Sequence, residues 1–388
     1  MTSEKMEDAY IIENQDNTLP DIERIVNEFY NLGKVVNVER LTMGDSNFNY
    51  FVTAEKDGVA TKYFGQLFST SKSVSDLKYE LALRKYFTEH NKSNMKCAAL
   101  VAADNEDGYV RCFCPEVQRE RYFCMFTLLP GKAFARDTWA YGKITEPLIK
   151  GCAKGIAQYH AGAYGFVPPE GCGAGNQDFK DVLKEFRRMF TEEYERCSEG
   201  STYEYYDYFA EYQPRLLEIL DKCSERYAAA ESGLPNCMCH IDTSPQNYLL
   251  DENYEPVGIC DLDISQYRPR LYDIGWFINE ALCNFNEKEL TNSIRVEDVI
   301  TFLNAYDDAM EEIGNPLPGK LTDDERKMVI DIFEIVSIHC GFYYIWEYIV
   351  DDNPTNTYEF NTFWGNWTKT AIDYVEDHRD AFEKAITA

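Results

Sequence analysis

Pro130-Gly131 divides this 388-residue chain into two unlike halves, and the change of pattern across it limits the fold more than any other feature. Upstream, short runs rich in β-branched and aromatic residues at 35–41, 48–54, 59–64, 98–102, 109–113 and 122–128 read as strands. Lys56-Asp57-Gly58 joins two of them with hairpin chemistry, since Asp-Gly tolerates the left-handed backbone of a tight turn. Two helices accompany the strands. One begins at Thr18 and Pro20 and sets Ile22, Ile25, Val26 and Phe29 on one face; the other covers 73–89 with Leu77, Leu81, Leu83 and Tyr86. Downstream the helical period takes over at 145–163, 178–197, 203–231, 271–283, 296–313, 322–350 and 358–386. The expectation is an α+β protein: a small antiparallel-sheet unit over residues 1–129, then a larger, mainly helical unit over 130–388 with a helical insertion at about 176–233.

Within the helical half, Cys239-His240-Ile241-Asp242-Thr243-Ser244-Pro245-Gln246-Asn247 interrupts the helices, and Ile259-Cys260-Asp261-Leu262-Asp263 follows after a short turn. The two segments read as H-x-D-x-x-x-x-N and a strand ending in D-x-D, the polar groups that phosphoryl transfer requires. Asp242 would orient an acceptor hydroxyl and take its proton, while Asn247 and Asp261 would hold magnesium against the nucleotide phosphates. Strands at 248–250 and 256–260 would deliver Asn247 and Asp261 to one end of a hairpin, and oxygen ligands in small number suit magnesium better than a soft metal. Asp263 is open between metal and acceptor, and Asp273 between capping the next helix and pinning the Asp242 loop. In isolation, 240–247 reads equally well as a solvated loop, since Asp and Asn are ordinary turn residues; the ordered combination carries the argument.

The upstream half offers nucleotide-binding candidates. Lys62, on the third strand, would reach phosphates, with Glu80 on the following helix holding it in place; an exposed strand lysine is the other reading. Gly44, Asp45, Ser46 and Asn47 would form a loop over the phosphates, although they match neither G-x-G-x-x-G nor a Walker sequence. Backbone groups around Thr127 and Leu129, just before Pro130-Gly131, would pair with an adenine edge.

A formal charge of −29 argues against nucleic acid or an anionic membrane as partner, and obliges a nucleotide site to recruit local cations. Thirteen scattered cysteines do not make a secreted disulfide framework. The pairs Cys112/Cys114 and Cys237/Cys239 read as same-face strand residues before they read as zinc ligands. The acidic segment 1–17 has no apolar core, and no run reaches spanning length, so the expectation is a soluble, cytoplasmic protein whose partners are a nucleotide and a small-molecule acceptor.

On His240 to Asn247, Asp261 and Leu271-Tyr272-Asp273-Ile274-Gly275, with Gly44 to Asn47, Lys62, Glu80 and Leu129-Pro130-Gly131 in support, the chain resembles the aminoglycoside phosphotransferase and choline kinase superfamily. The resemblance runs from about Leu41 onward. It implies a protein-kinase-like two-lobed fold, ATP and Mg2+ as cofactors, Asp242 as base, Asn247 and Asp261 on magnesium, and Lys62 on phosphates. The wording Asp242-Thr243, Asp261-Leu262-Asp263 and Leu271 to Gly275 looks most like N-acetylhexosamine 1-kinases, as do Gly44-Asp45 with Asn49 and Cys340-Gly341. Those kinases place an Arg shortly after the Cys-Gly pair to contact the sugar; here Phe342-Tyr343-Tyr344 follow. A sugar or amino sugar is therefore the expected acceptor, with homoserine-, choline- and aminoglycoside-type acceptors, or a non-catalytic binding protein, as alternatives. Nine residues between Asp263 and Asp273 leave little room for the activation segment of a protein kinase.

Overall fold

The computed structural model describes residues 10–11, 19–41, 47–69, 71–114, 119–172, 178–196, 208, 211–314, 317, 319–351 and 358–388. They divide into two compact units: Met1–Glu89 with Lys96–Pro130 and Val167–Gly173, and His90–Met95 with Gly131–Phe166 and Ala174–Ala388. No helix among the described residues is long and apolar enough to cross a membrane.

The first unit is built on a seven-stranded sheet. Lys34–Leu41, Phe48–Lys56 and Val59–Leu67 form an antiparallel meander, Arg119–Thr127 pairs with the last of these, and Val110–Cys114 and Leu100–Val101 pair with Arg119–Thr127. The short strand Tyr10–Ile11 adds to Val110–Cys114 in parallel, a pairing without a sequence signal. Asp57 and Gly58 take φ of 54° and 78°, the left-handed turn expected of Asp-Gly. The Leu19–Phe29 helix buries Ile22, Ile25 and Val26 against Val35, Tyr50, Val52 and Phe123. A second cluster, Phe68, Leu77, Cys124 and Phe126, carries the Val74–His90 helix.

The second unit is mainly helical. The Glu146–Gly162 helix seats the Tyr248–Leu250/Pro256–Ile259 hairpin by close approach: a Cβ on Gly151 would meet the Tyr254 carbonyl oxygen at 2.5 Å, and one on Gly155 the Tyr248 ring at 2.6 Å. The Asp323–Asp351 and Tyr358–Asp377 helices touch at Gly341, where a Cβ would stand 1.7 Å from the Thr368 hydroxyl oxygen. That hydroxyl donates to the Ser337 carbonyl at 2.7 Å and cannot swing aside without stranding a buried bond. Cys340-Gly341 thus has a packing reason independent of any ligand.

Several expected elements differ in detail. The helix expected over 271–283 is α-helical only for Leu271–Phe277 and continues as a π turn, Ile278–Leu282. A second π turn, Met189–Glu193, interrupts 178–197. The helix expected over 358–386 breaks at His378, which leaves helical geometry, donates a hydrogen bond from its ring Nδ1 to the Tyr374 carbonyl and stacks on the Tyr374 ring. Of 203–231, the described helix is Gln213–Ala230, and 203–207 lie outside the described residues. Strand structure also continues past Pro130: Asn236–Cys239 pairs antiparallel with Gln266–Pro269, which sets Cys237 and Cys239 on one buried face with sulfurs 3.8 Å apart.

Candidate active site

The Asp242 loop leaves the Asn236–Cys239 strand through a residue that β-branching should exclude: Ile241 has φ of 75°. Such a conformation costs about 1–3 kcal/mol and persists only where neighbours over-determine it. Asp273, fully buried in the first turn of the Leu271–Phe277 helix, supplies that constraint. Its Oδ2 accepts the His240 N–H at 2.7 Å, its Oδ1 accepts the Ile241 N–H at 2.9 Å, and its carbonyl accepts the Thr243 hydroxyl at 2.9 Å. Hydrogen bonds to a charged group are worth about 1.5–3 kcal/mol each, so two of them offset the strain. Of the two roles open to Asp273 in the sequence, the geometry selects pinning the loop.

Behind Asp273 stands His160, which sequence reasoning left as a helix residue. Its Nε2 donates to Asp273 Oδ2 at 2.9 Å, and Nδ1 meets the Tyr306 hydroxyl at 2.8 Å. Burial opposes an imidazolium here, yet Tyr306, the Asp273 hydrogen bond and Cys239 together hold His160 well above the ordinary histidine value. His240 ties the loop to the hairpin: its Nε2 contacts the Cys260 carbonyl at 2.7 Å, and since a carbonyl only accepts, Nε2 carries the proton.

Asn247 Nδ2 donates to the Asp242 carbonyl at 3.0 Å, and the Asn247 carbonyl accepts the Cys260 N–H at 2.9 Å. With Tyr248 opposite Ile259 in the hairpin, Asn247 and Asp261 stand at the same end. Donation by Nδ2 leaves Oδ1 as the amide's remaining ligand group. Asp261 is exposed and takes φ of 59°; Asp263 is half-buried. These oxygen donors fit a hard cation such as magnesium.

The first unit corrects one expectation. Glu80, 1% exposed, pairs not with Lys62 but with Lys72 at 2.9 Å and Arg84 at 2.6 Å. Burial acts against its charge, but Arg84 and Lys72 outweigh it and lower its pKa. Lys62 sits 3.9 Å from Glu39 and 3.7 Å over the Phe51 ring, half in solvent. The reason is position along the strand. Gln66 is opposite Cys124, whose thiol is pushed up by burial and by Glu80, whereas Lys62 lies four residues, about 13 Å, earlier. Gln66 is buried and its Oε1 has no hydrogen-bond partner among the described residues. Asn47 Oδ1 accepts the Ser69 N–H at 3.0 Å, Thr127 exchanges hydrogen bonds with Ala99, and Leu129 packs beside Phe126. Gly44, Asp45 and Ser46 lie outside the described residues, as do the side chains of Tyr343, Tyr344 and Trp346.

Two further groups in the second unit had no motif to reveal them. Glu280, in the π turn, is pushed up to about 8 by burial and then by the Asp242 charge, with Arg136 acting against the shift. Arg136 stacks on Trp364, its Cζ 4.4 Å from the ring centroid.

A search of curated proteins finds no match for this chain. Among solved structures, the chain is similar to a Plasmodium vivax ethanolamine kinase, with TM-score 0.58 and 12% identity over 98% of this chain and 93% of that one. It is likewise similar to a choline kinase from Cryptosporidium parvum Iowa II, with TM-score 0.59 and 13% identity over 94% of this chain and 98% of that one. At such identity the likeness shows the fold, which is protein-kinase-like. The family model described as the phosphotransferase enzyme family matches residues 37–312. This chain therefore belongs to that family, whose members are kinases that phosphorylate hydroxyl groups of small molecules, using ATP typically with Mg2+.

Proposed function

We propose that this chain transfers the γ-phosphate of ATP to a hydroxyl of a small metabolite, with Asp242 as the base. The observation that carries the reading is the hydrogen-bonded chain from Asp273 through the strained His240-Ile241 backbone to Asp242 and on to Asn247. It holds the Asp242 backbone and the Asn247 amide, with Asn247 at the hairpin end that leads to Asp261, which supports a residue set of the kind phosphoryl transfer needs. Asp242 would orient the acceptor hydroxyl and receive its proton. Asn247, Asp261 and, as a third candidate, Asp263 would hold magnesium, which when bound neutralises charge on the phosphates. Lys72, charge-paired with Glu80, replaces Lys62 as the candidate phosphate cation, and Asn47 with the backbone at Thr127 and Leu129 remain candidates for the nucleotide.

A sugar or amino sugar is the favoured acceptor, from the motif wording around Asp242, Asp261 and Asp273. Homoserine, choline, ethanolamine and aminoglycosides are the competing classes. A coupled ADP-release assay with MgATP across these acceptors tests the reading, with Asp242→Asn as control. An acceptor-dependent signal lost in the variant supports it; substantial residual turnover in Asp242→Asn would remove Asp242 as base. Silence across acceptors without any nucleotide-induced thermal shift would indicate a non-catalytic member of the family.

A further inference from the structure

Cys237 and Cys239, alternate residues of the strand that runs into the Asp242 loop, meet a third soft donor from a distant part of the chain. His160, on the Glu146–Gly162 helix, brings a ring nitrogen to within 4.8 Å of both sulfurs, and all three residues are fully buried. By itself Cys-x-Cys is a pair of same-face strand residues; with an imidazole facing it, the pair becomes a Cys2His donor set. The spacing fits a tetrahedral ion. Two Zn–S bonds of about 2.3 Å meeting at the tetrahedral angle put the sulfurs about 3.8 Å apart, and a Zn–N bond of about 2.0 Å puts the nitrogen about 3.5 Å from each. The sulfurs here are 3.8 Å apart, so the imidazole alone has to close in, by about 1.3 Å at most.

His160 is also held as metal-bound histidines are. Its Nε2 donates to the Asp273 carboxylate at 2.9 Å, which fixes the ring and leaves Nδ1, now 2.8 Å from the Tyr306 hydroxyl, to coordinate. A second buried cluster shows what excludes an ion. Cys223, Asp331 and Glu334 also bring donor atoms within 4.8 Å of one another, but Arg226 already neutralises Asp331 at 3.0 Å, and Arg379 and Lys222 neutralise Glu334 at 2.8 and 3.5 Å. At the His160 cluster the buried Arg270, 5.7 Å from the Tyr306 ring, is instead spent on Glu325. We propose that His160, Cys237 and Cys239 form a zinc site that braces the seat of the Asp242 loop. The ion displaces the two thiol protons and takes His160 Nδ1, and the Tyr306 hydroxyl, giving up its contact there, is the group at hand for the fourth position. Two thiolates cancel a divalent charge, as burial demands, and would overcompensate a monovalent copper ion. Zinc then ties the strand leading into Asp242 to the helix behind Asp273, and makes no use of Asp242, Asn247 or Asp261.

The test uses the full chain, expressed in zinc-supplemented medium and purified with a phosphine reductant in excess Mg2+, which occupies hard oxygen sites. Elemental analysis should find one zinc per chain, and X-ray absorption should show two sulfurs at about 2.3 Å with nitrogen at about 2.0 Å. Thermal unfolding with a chelator present should come about 3–5 °C below unfolding in excess zinc. Cys237→Ala should lose both the ion and that difference, whereas Cys223→Ala should keep both. No zinc in the purified chain, a shell without sulfur, zinc kept in full by Cys237→Ala, or an unfolding midpoint indifferent to zinc would overturn the inference. The absorption measurement needs no variant, so it decides the matter even if Cys237→Ala does not fold. Zinc held through two sulfurs in a chain that releases no ADP with any acceptor would keep the site and sink the kinase reading instead.

Discussion

The seat of the Asp242 loop and the aromatic wall around Arg136 use charged groups in opposite ways. In the seat, both Asp273 oxygens and both His160 nitrogens have partners, and their bonds hold a backbone that Ile241 would not adopt alone. In the wall, Arg136 Nη2 is buried without a hydrogen-bond partner among the described residues, and Glu280, in the turn whose backbone Trp367 fixes, has no ion-pair partner among them. Saturated buried polar groups build structure, whereas an unsaturated one has to be held in place by other means.

The sharpest way to break this contrast is Asp273→Ala. It removes a buried charge from three donors, so a loss of about 3–5 kcal/mol in denaturant unfolding is expected, together with loss of turnover. If Asp273→Ala kept both, the seat would not be structural. Asp242→Asn should do the reverse: turnover falls by about 10²–10⁴ while the unfolding midpoint barely moves. A large stability change in that variant would erase the distinction between seat and site.

A pH series sharpens the wall. Because Glu280 is raised to about 8 in the folded chain, the native state keeps a proton that the unfolded chain gives up at ordinary carboxyl pH. Stability attributable to Glu280 should therefore fall as pH rises from the ordinary carboxyl range to about 8, and Glu280→Gln should flatten that slope in thermal unfolding measured at several pH values. A slope unchanged in the variant would place the proton elsewhere. The smallest effect concerns the two lysines. Lys62→Met should shift stability by about 0.5 kcal/mol or less, since its ion pair is exposed. Lys72→Met leaves Glu80 with Arg84 alone and should weaken ATP binding in calorimetry where Lys62→Met does not; equal effects would restore Lys62 to the nucleotide site.

The parts of the fold legible in sequence were those encoded by neighbouring residues. Asp57-Gly58 announced its turn, Ile22, Ile25 and Val26 their buried face, and the spacing of Asn247 and Asp261 their shared hairpin end. What escaped depends on residues distant in the chain. The Lys72–Glu80 pair was missed because Lys72 lies past the strand, in a connection with no motif, while Lys62 had the expected strand position at the wrong depth. The π turn at Ile278–Leu282 has no period of its own to betray it. Arg136 gains its meaning only from Trp364 and Trp367, contributed by a helix near the C-terminus.

That last arrangement has an optical consequence. The chain has five tryptophans, and three of them, Trp139, Trp364 and Trp367, lie within 6 Å of the Arg136 guanidinium. Any molecule that draws Arg136 toward itself changes the charge over most of the indole emission of the protein. The native fluorescence spectrum, with no dye attached, then becomes a titratable record of any change at Arg136.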